Sequence, residues 1–288
     1  MNEQERIEFD YTAFSTFQTC RRRYDLRMNK GYVRKTELKP VHFGKAIHNA
    51  LDSWYVDKDV KKATDVFLAN YTENLEIDDK RTNRMGEWII ENYDKQYRDQ
   101  PHELVKSEMT FSIPVTSDFT FTGRMDKIVK WDNTLWILDH KTTSGLGATY
   151  FNMAEPNLQF MGYAYAAREM GYNIRGVIID AILVAKGLLP SDAATGVRKN
   201  PNLTPFARYD IYYKEENFAE WYKTVMAVRK DIKVCEEYDE WYPNFDACTH
   251  FGECPYRRVC KEDQAIRQRI LDADYEVSHW NPLQKEGE

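Results

Sequence analysis

The spacing of apolar residues along the chain changes its period near residue 101. Before that point, apolar side chains recur every three or four positions, as Ile47, Leu51 and Trp54 do, and this spacing predicts helices. After it, short runs rich in Phe, Ile, Val and Thr are separated by turn residues, which predicts strands. The elements predicted up to residue 140 are helices over residues 11–30, 41–56, 60–71 and 81–97, then an antiparallel three-strand meander over 105–114, 119–131 and 134–140.

The second half of the chain returns to helical spacing and adds one strongly apolar strand. The elements predicted there are a loop over residues 142–147, a helix over 156–170, a buried strand over 176–185, a long loop over 188–205, an edge strand over 209–213 and a helix over 215–238. Helices, three strands, a helix and a further strand in this order favour an α/β core between two flanking segments.

Composition narrows the class of protein. Apolar residues make up 42% of the chain and charged residues 30%, which supplies a core and excludes a disordered, collagen-like or coiled-coil protein. The longest nearly apolar run, 177–185, is interrupted by Asp180 and is too short to cross a bilayer. The first residues carry no apolar stretch behind a basic start, so we expect no secretory signal and no membrane association.

The net charge alone weighs against a nucleic-acid binder, because 40 Lys and Arg face 46 Asp and Glu, a balance of −6. The positive charges are nevertheless concentrated in two clusters, each beside cysteines. Solvated helix faces are the ordinary interpretation of such clusters, and a binding surface is the alternative. The first cluster contains Arg21, Arg22, Arg23, Arg27, Lys30, Arg34, Lys35 and Lys39, and the second contains Arg257, Arg258, Lys261, Arg267 and Arg269.

The cysteines indicate a metal site rather than a disulfide framework. Cys248, Cys254 and Cys260 follow one another with five residues in each interval, among glycine, proline and arginine. A fourth soft ligand would complete a site for zinc or an iron–sulfur cluster, and Cys20 and His250 are both candidates. The spacing does not choose between these metals. We interpret the fifth cysteine, Cys235, as a core residue of the helix over 215–238.

The strongest candidate for chemistry is the end of the third strand. Asp139 and Lys141 are two residues apart and therefore point to the same side. A carboxylate that holds a divalent cation beside a lysine that offsets phosphate charge suits metal-assisted phosphodiester hydrolysis. Asp126, on the preceding strand, could meet Asp139 across a hairpin, and a shared cation is the natural reason to pair two carboxylates. The alternative is a surface aspartate paired with Lys127 or Arg124.

Other residues are ambiguous by themselves. His48 is either a metal ligand or a hydrogen-bonded core histidine. The role of Glu108, near the start of the first strand, is equally ambiguous. Gln159 and Tyr163 are four residues apart on one helix face, where they either pack in the core or contact phosphate and base.

Taken together, these motifs resemble a known family. The histidine of GKAIHNAL, the aspartate of GRMD, the strand-end Asp-x-Lys and the Gln-x3-Tyr of the next helix are similar in order to the RecB-like branch of the PD-(D/E)xK nucleases. One early cysteine and three late ones resemble the iron–sulfur members of that branch, among them AddB-type nucleases and CRISPR-associated exonucleases. The resemblance runs from Phe14 to Cys260.

The resemblance implies a restriction-endonuclease-like αβββαβ core and a single nuclease domain over residues 1–288. Within it, 11–40 form the N-terminal helix, 41–185 the catalytic core, 186–240 a loop, edge strand and helix, and 241–288 the cysteine segment and tail. A metal cluster at the cysteines would join the N-terminal and C-terminal segments, closing a very long loop.

The resemblance also implies roles for individual residues. The metal ligands would be His48, Asp126, Asp139 and the backbone carbonyl of His140. Lys141 would be the catalytic lysine, with Glu108 near the metal and Gln159 and Tyr163 on the substrate side. A [4Fe-4S] cluster would be bound by Cys20, Cys248, Cys254 and Cys260, which leaves out His250 and Cys235. The arginines beside it, Arg21, Arg22, Arg257 and Arg258, would follow a DNA backbone. Many relatives space the last three cysteines two and five apart, and often have proline where Arg21 stands.

These implications combine into one functional expectation. We expect a cytoplasmic, Mg²⁺- or Mn²⁺-dependent exonuclease that hydrolyses single-stranded DNA or frayed ends in recombination, repair or phage DNA processing, in a bacterium, an archaeon or a phage-infected host. The sequence has no Gly-x4-Gly-Lys-Ser/Thr loop, so unwinding would come from a helicase or recombination partner. The alternatives are a catalytically silent DNA-binding module of the same fold and a nuclease with zinc at its cysteines.

Overall fold

The computed structural model describes residues 7–36, 39–74, 78–100, 102–152, 154–249, 253–281 and 283. The chain forms two compact units, each built from separate stretches. The first unit comprises Met1–Thr36, Thr110–Arg124 and Lys214–Glu288, and the second comprises Glu37–Met109 and Met125–Tyr213. The single domain that we expect over 1–288 stays a prediction.

The helices and strands agree in order with the predicted αβββαβ core. The described residues form, along the chain, β1 (Ile7–Phe9), α1 (Tyr11–Thr19), α2 (Arg21–Tyr24), a π-helical turn (Asp25–Asn29), β2 (Tyr32–Arg34), α3 (Lys39–Asp57), α4 (Val60–Asn70), α5 (Asn83–Tyr97), β3 (Glu103–Pro114), β4 (Phe119–Trp131), β5 (Thr134–Thr143), α6 (Ala148–Asn152), α7 (Leu158–Glu169), β6 (Ile174–Leu183), a 3₁₀ turn (Lys186–Leu188), β7 (Phe206–Tyr212), α8 (Glu215–Tyr238), a 3₁₀ turn (Asp246–Cys248), α9 (Arg257–Lys261), α10 (Gln264–Asp274) and β8 (Tyr275–Val277).

The sheet of the second unit is mixed. Strand β5 pairs with β4 antiparallel and with β6 in parallel, and β7 pairs antiparallel with β6 at the end of the strand order. Strand β6 lies between two partners and nine of its ten residues are buried, which explains its continuous apolar sequence. The buried strand predicted over 176–185 and the edge strand predicted over 209–213 are therefore confirmed.

Helices α3, α4 and α5 enclose the core of the second unit. Phe43, Ile47 and Trp54 of α3 are fully buried with Phe67 of α4 and Ile178 of β6 in one apolar cluster. Each of the two following helices begins at a side-chain cap, because Asp59 accepts a hydrogen bond from Lys62 N (3.0 Å) and Thr82 from Met85 N (3.0 Å). The predicted helices are thus stabilised by packing their apolar faces into this core.

The first unit brings both ends of the chain together. Strand β1 pairs in parallel with the start of β4, and β2 pairs antiparallel with β8. A small apolar cluster supports the second pairing and is formed by Leu26, Tyr256, Val259, Ile270, Leu271 and Tyr275. The strands β1, β2 and β8 are three residues long and were not among the predicted elements, nor were α6, α9 and α10.

Two predicted boundaries are wrong. The helix predicted over 11–30 is interrupted at Cys20, whose backbone is extended (φ −166°, ψ 119°), so α1 ends before it and α2 begins after it. The loop predicted over 142–147 begins later, because Lys141, Thr142 and Thr143 continue β5 by pairing with Ala181, Ile182 and Leu183 of β6. Among the described residues, no helix is both long and apolar enough to cross a membrane.

Candidate active site

Strand β5 presents Asp139 and Lys141 on one face of the sheet in the second unit. Lys141 Nζ lies 2.6 Å from Asp139 Oδ2, and the Asp139 side chain is only 2% exposed. The ladder with β6 continues on both sides of these residues, so the backbone that carries them is fixed. The predicted strand-end pair is thus brought together as an ion pair.

The hairpin between β4 and β5 places Asp126 beside this pair. Lys127 is opposite Leu138 in the antiparallel ladder, so the next positions along are Asp126 and Asp139. Asp126 Oδ2 accepts a hydrogen bond from the backbone N–H of His140 at 2.9 Å. The alternative pairing of Asp126 with Lys127 is not found, because Lys127 Nζ instead contacts Asp52 Oδ1.

Helix α3 contributes the histidine. His48 Nδ1 lies 3.2 Å from Asp126 Oδ2, and its side chain is 28% exposed. Helix α3 runs close to β5, since a Cβ added at Gly44 would lie 3.1 Å from Thr142 Oγ1. His48, Asp126, Asp139 and Lys141, which are spread over nearly a hundred residues of sequence, therefore form one group.

The charges of this group shift its pKa values in opposite directions. The pKa of Asp139 is raised to about 6, because the effects of burial and of the Asp126 carboxylate together exceed the opposing effect of Lys141. Burial also disfavours ionised Asp126, but the charge and hydrogen bond of His48 hold the pKa of Asp126 well below its usual value. Burial acts to lower the pKa of Lys141, yet the charges of Asp139 and Asp126 raise it. Lys141 is therefore protonated at neutral pH.

Helix α7 covers the same group. Its N-terminus is capped by Asn157, which accepts hydrogen bonds from Gln159 N (2.9 Å) and Phe160 N (3.3 Å). One turn on, Gln159 Nε2 donates to the Tyr163 hydroxyl at 3.0 Å. Burial raises the pKa of Tyr163, and the charge of Asp139 adds to that shift, so this phenol lies within electrostatic reach of the carboxylate. The predicted pair of Gln159 and Tyr163 thus lies near Asp139.

The donor set suits a hard divalent cation. Two carboxylates and one imidazole are ligands of Mg²⁺ and Mn²⁺, and a cation would relieve the repulsion between Asp126 and Asp139. In the part of the chain described by the structure, no three His, Cys, Asp or Glu side chains are arranged so that they could hold a metal ion. Within this group, Lys141 Nζ contacts Asp139 and His48 Nδ1 contacts Asp126.

Glu108 lies on β3 of the second unit. Its φ angle is +49°, a left-handed backbone conformation that is uncommon for a residue other than glycine. Its predicted place near a metal stays a prediction.

A buried polar network lies on the face of β5 opposite to Asp139 and Lys141, and it was not predicted from the sequence. The His140 ring lies 3.1 Å (Nδ1) from Asp180 Oδ2, and Asp180 also accepts a hydrogen bond from the Tyr93 hydroxyl at 2.5 Å. Arg208 Nε lies 3.3 Å from Asp180 Oδ1, while its Nη2 donates to the hydroxyl groups of Tyr55 and Tyr93, each at 3.0 Å. Burial lowers the pKa of His140 to about 4, so the ring is neutral. The one signal in the sequence was an aspartate inside the apolar run 177–185.

All five cysteines belong to the first unit, and four of them lie around one cavity. Cys20, Cys248, Cys254 and Cys260 all line one small cavity, together with Thr19, Arg23, Pro243, Asn244, Ala247, Tyr256 and Arg257. The extended backbone at Cys20 turns its sulfur to the C-terminal segment, where it accepts a hydrogen bond from Asn244 N at 3.3 Å. Cys254 N donates to Cys248 O at 3.0 Å. Cys235 is buried in α8 and is not among the lining residues, and His250 lies outside the described residues.

The arginines predicted to bind DNA lie around the cysteine segment. Arg21 stacks on the Tyr242 ring at 4.4 Å and lies 3.7 Å from Asp231. Arg257 and Arg258 lie 3.3 Å from Glu253 and 2.5 Å from Asp274, respectively. Arg22 donates its backbone N–H to Tyr242 O at 3.3 Å. Their contact with DNA stays a prediction.

The family model and the first solved structure below each match most of the chain. Residues 8–261 match the family model described as the PD-(D/E)XK nuclease superfamily. Among solved structures, the "Putative exonuclease" from Eubacterium rectale is similar, with a TM-score of 0.50, 12% identity and coverage of 93% of each chain. LHK-Exo in complex with dAMP has a TM-score of 0.32 and 12% identity, over 69% of this chain and 94% of that one. No curated protein matches. At 12% identity, the similarity to the Eubacterium rectale structure shows a shared fold alone.

Proposed function

Because the chain belongs to the PD-(D/E)XK nuclease superfamily, we propose that it is a divalent-metal-dependent DNA exonuclease. Its substrate would be single-stranded DNA or frayed ends, in recombination, repair or phage DNA processing. The observation that carries this proposal is the group on β4, β5 and α3, in which Asp126 contacts His48 and Asp139 contacts Lys141. A domain that only binds DNA has no physical need for this set.

The residues of this group would have different roles in hydrolysis. His48, Asp126, Asp139 and the backbone carbonyl of His140 would hold Mg²⁺ or Mn²⁺, which supplies a water of lowered pKa and positive charge near the phosphate. Because its pKa is raised, the Lys141 ammonium stabilises negative charge on the phosphate oxygens instead of accepting a proton. Gln159 and Tyr163 would orient the DNA strand beside it.

Metal affinity should depend on pH. Asp139 must be ionised to bind a cation, and its pKa is about 6 in the metal-free protein. His48 must be neutral, and the carboxylate of Asp126 raises its pKa against the effect of burial, so both groups favour metal binding at higher pH. We expect the affinity for Mn²⁺, measured by calorimetry without DNA, to rise at least about tenfold from pH 5 to pH 7. An affinity that stays constant over this range would contradict Asp139 as a ligand.

We also propose that the chain is of the RecB-like iron–sulfur type, with a [4Fe-4S] cluster held by Cys20, Cys248, Cys254 and Cys260. The support is that these four line one cavity, whereas Cys235 does not. Their thiolates fit such a cluster by chemistry, and binding would join the two ends of the chain.

Replacing any one of these four cysteines by serine should lower the iron content and the absorbance near about 400 nm of protein purified without oxygen. Cys235→Ser is the matched control and should keep both. Protein that contains zinc and lacks this absorbance would show that the cluster assignment is wrong.

The exonuclease part of the proposal has a direct test. Linear and circular forms of the same single-stranded DNA are incubated with the protein and Mn²⁺. An exonuclease degrades only the linear form, and a strand with a paired end should need a helicase or another partner that opens it. Equal degradation of the circle would indicate an endonuclease instead.

A further inference from the structure

Three aromatic side chains outside the predicted site form a continuous strip in the second unit. The rings of Tyr150 and Phe151, both on α6, have centroids 5.3 Å apart. Phe151 in turn stacks on Tyr209 of β7, with centroids 5.2 Å apart and an interplanar angle of 27°. Tyr209 is 37% exposed, on the edge strand of the sheet. The strip therefore reaches solvent at this edge.

The sheet register places Tyr209 on the catalytic face. Asp139 of β5 pairs with Ile179 of β6, and Ile179 pairs with Tyr209 of β7. Residues directly opposite one another on neighbouring strands point to the same face, and two strand spacings amount to about 10 Å. The ring of Tyr209 thus lies on the same side of the sheet as the catalytic carboxylate.

The other end of the strip follows the catalytic strand in the chain. Tyr150 follows the end of β5 by a few residues, on α6 between the catalytic strand and α7. Burial raises the pKa of Tyr150, and the charges of Lys141 and Asp139 act on the same phenol. This interaction places Tyr150 within electrostatic reach of both catalytic side chains.

We propose that Tyr150, Phe151 and Tyr209 form a stacking track for unpaired bases, which holds a single strand of DNA between Asp139 and the β7 edge. Aromatic rings stack on bases of any sequence, and only a strand whose bases are unpaired exposes the base faces that such a track needs. The track rests on the proposed nuclease function and extends it, because it makes the single-stranded form of the substrate a property of named residues.

The test compares Tyr209→Leu and Phe151→Leu with the conservative variant Tyr209→Phe and with one matched control outside the track, Tyr212→Leu. Tyr209→Phe keeps an aromatic face. Tyr212→Leu removes a tyrosine of the same strand that is 50% exposed and lies an odd number of residues from Tyr209, on the opposite face, where it contacts Trp136. We expect both leucine variants in the track to raise KM for a single-stranded oligonucleotide by about tenfold, with kcat unchanged within about twofold. Tyr212→Leu should keep the wild-type KM, and Tyr209→Phe should raise KM by less than Tyr209→Leu does.

A second readout does not require cleavage. In EDTA, an oligonucleotide that carries 2-aminopurine near one end should lose fluorescence on binding to the wild-type protein, because stacking quenches the base. The quenching should disappear in Tyr209→Leu and Phe151→Leu, be retained at least in part in Tyr209→Phe and persist in Tyr212→Leu, with equal melting temperatures. If the wild type cleaves DNA but the track variants keep normal KM and quenching, the track is wrong and the nuclease assignment stands. If the wild type cleaves no DNA while the quenching pattern holds, the nuclease assignment fails and the track stands.

Discussion

Replacing Lys141 by methionine is expected to lower the rate of DNA cleavage on the order of a thousandfold, with DNA affinity changed by less than about threefold. The ammonium lies 2.6 Å from Asp139 and is protonated, so in the proposed site its charge would stabilise the negative charge that develops on the phosphate. Methionine keeps the length and apolar stem of the side chain but removes the charge. Asp139→Asn should lose as much activity, because the amide removes the anionic oxygen that a cation needs.

The measurement is single-turnover cleavage of labelled DNA at saturating protein, beside binding in EDTA. Lys106→Met removes an exposed lysine from β3 and serves as the matched control, with wild-type cleavage expected. Cleavage by Lys141→Met at the wild-type rate would remove the catalytic role from this lysine.

Replacing Asp180 by alanine should destabilise the fold by about 3–5 kcal/mol in the free energy of unfolding. The carboxylate is fully buried, and Arg208 would lose the anion that lies 3.3 Å from its Nε. Tyr93 and His140 would lose their contacts with the same oxygen. A cation left without its partner in a buried site is costly, whereas removing both charges is not. The double variant Asp180→Asn with Arg208→Met should therefore lower the free energy of unfolding by less than the sum of the decreases in the two single variants.

Urea denaturation followed by circular dichroism measures these differences. Asp65→Ala removes the partner of Lys61 in an exposed pair on α4 and should leave the free energy of unfolding unchanged within error. An Asp180→Ala variant as stable as Asp65→Ala would mean that the buried network contributes nothing to stability.

The periodicity of the sequence was sufficient for most elements of the second unit. Helices α3, α4 and α5 and strands β4 to β7 follow apolar patterns that the core of this unit requires, and their bounds differ from prediction by a few residues. The extension of β5 to Thr143 could not be predicted locally, because it depends on pairing with Leu183 of β6. The short strands β1, β2 and β8 also depend on partners distant in sequence.

In the candidate site, too, residues could be predicted where the local sequence was sufficient, and could not where they depend on contacts distant in sequence. Asp139 and Lys141 could be located because they end an apolar strand, and Asp126 because the hairpin aligns it with them. The partner of Asp126 could not be settled, since Lys127 and Arg124 were both near in sequence. In the fold, His48 contacts Asp126 and Lys127 contacts Asp52. The role of Arg208 could not be predicted from the sequence, because it depends on contact with the buried carboxylate of Asp180 on the neighbouring strand.

The central claim is metal-dependent hydrolysis of DNA from an end, and one assay tests it most directly. Purified protein is incubated with end-labelled single-stranded DNA in three parallel reactions that contain Mn²⁺, Mg²⁺ or EDTA. We expect progressive shortening from one end with either metal and an intact strand in EDTA. A well-folded protein that binds the DNA but leaves it intact with both metals would contradict the account and indicate a catalytically silent DNA-binding module.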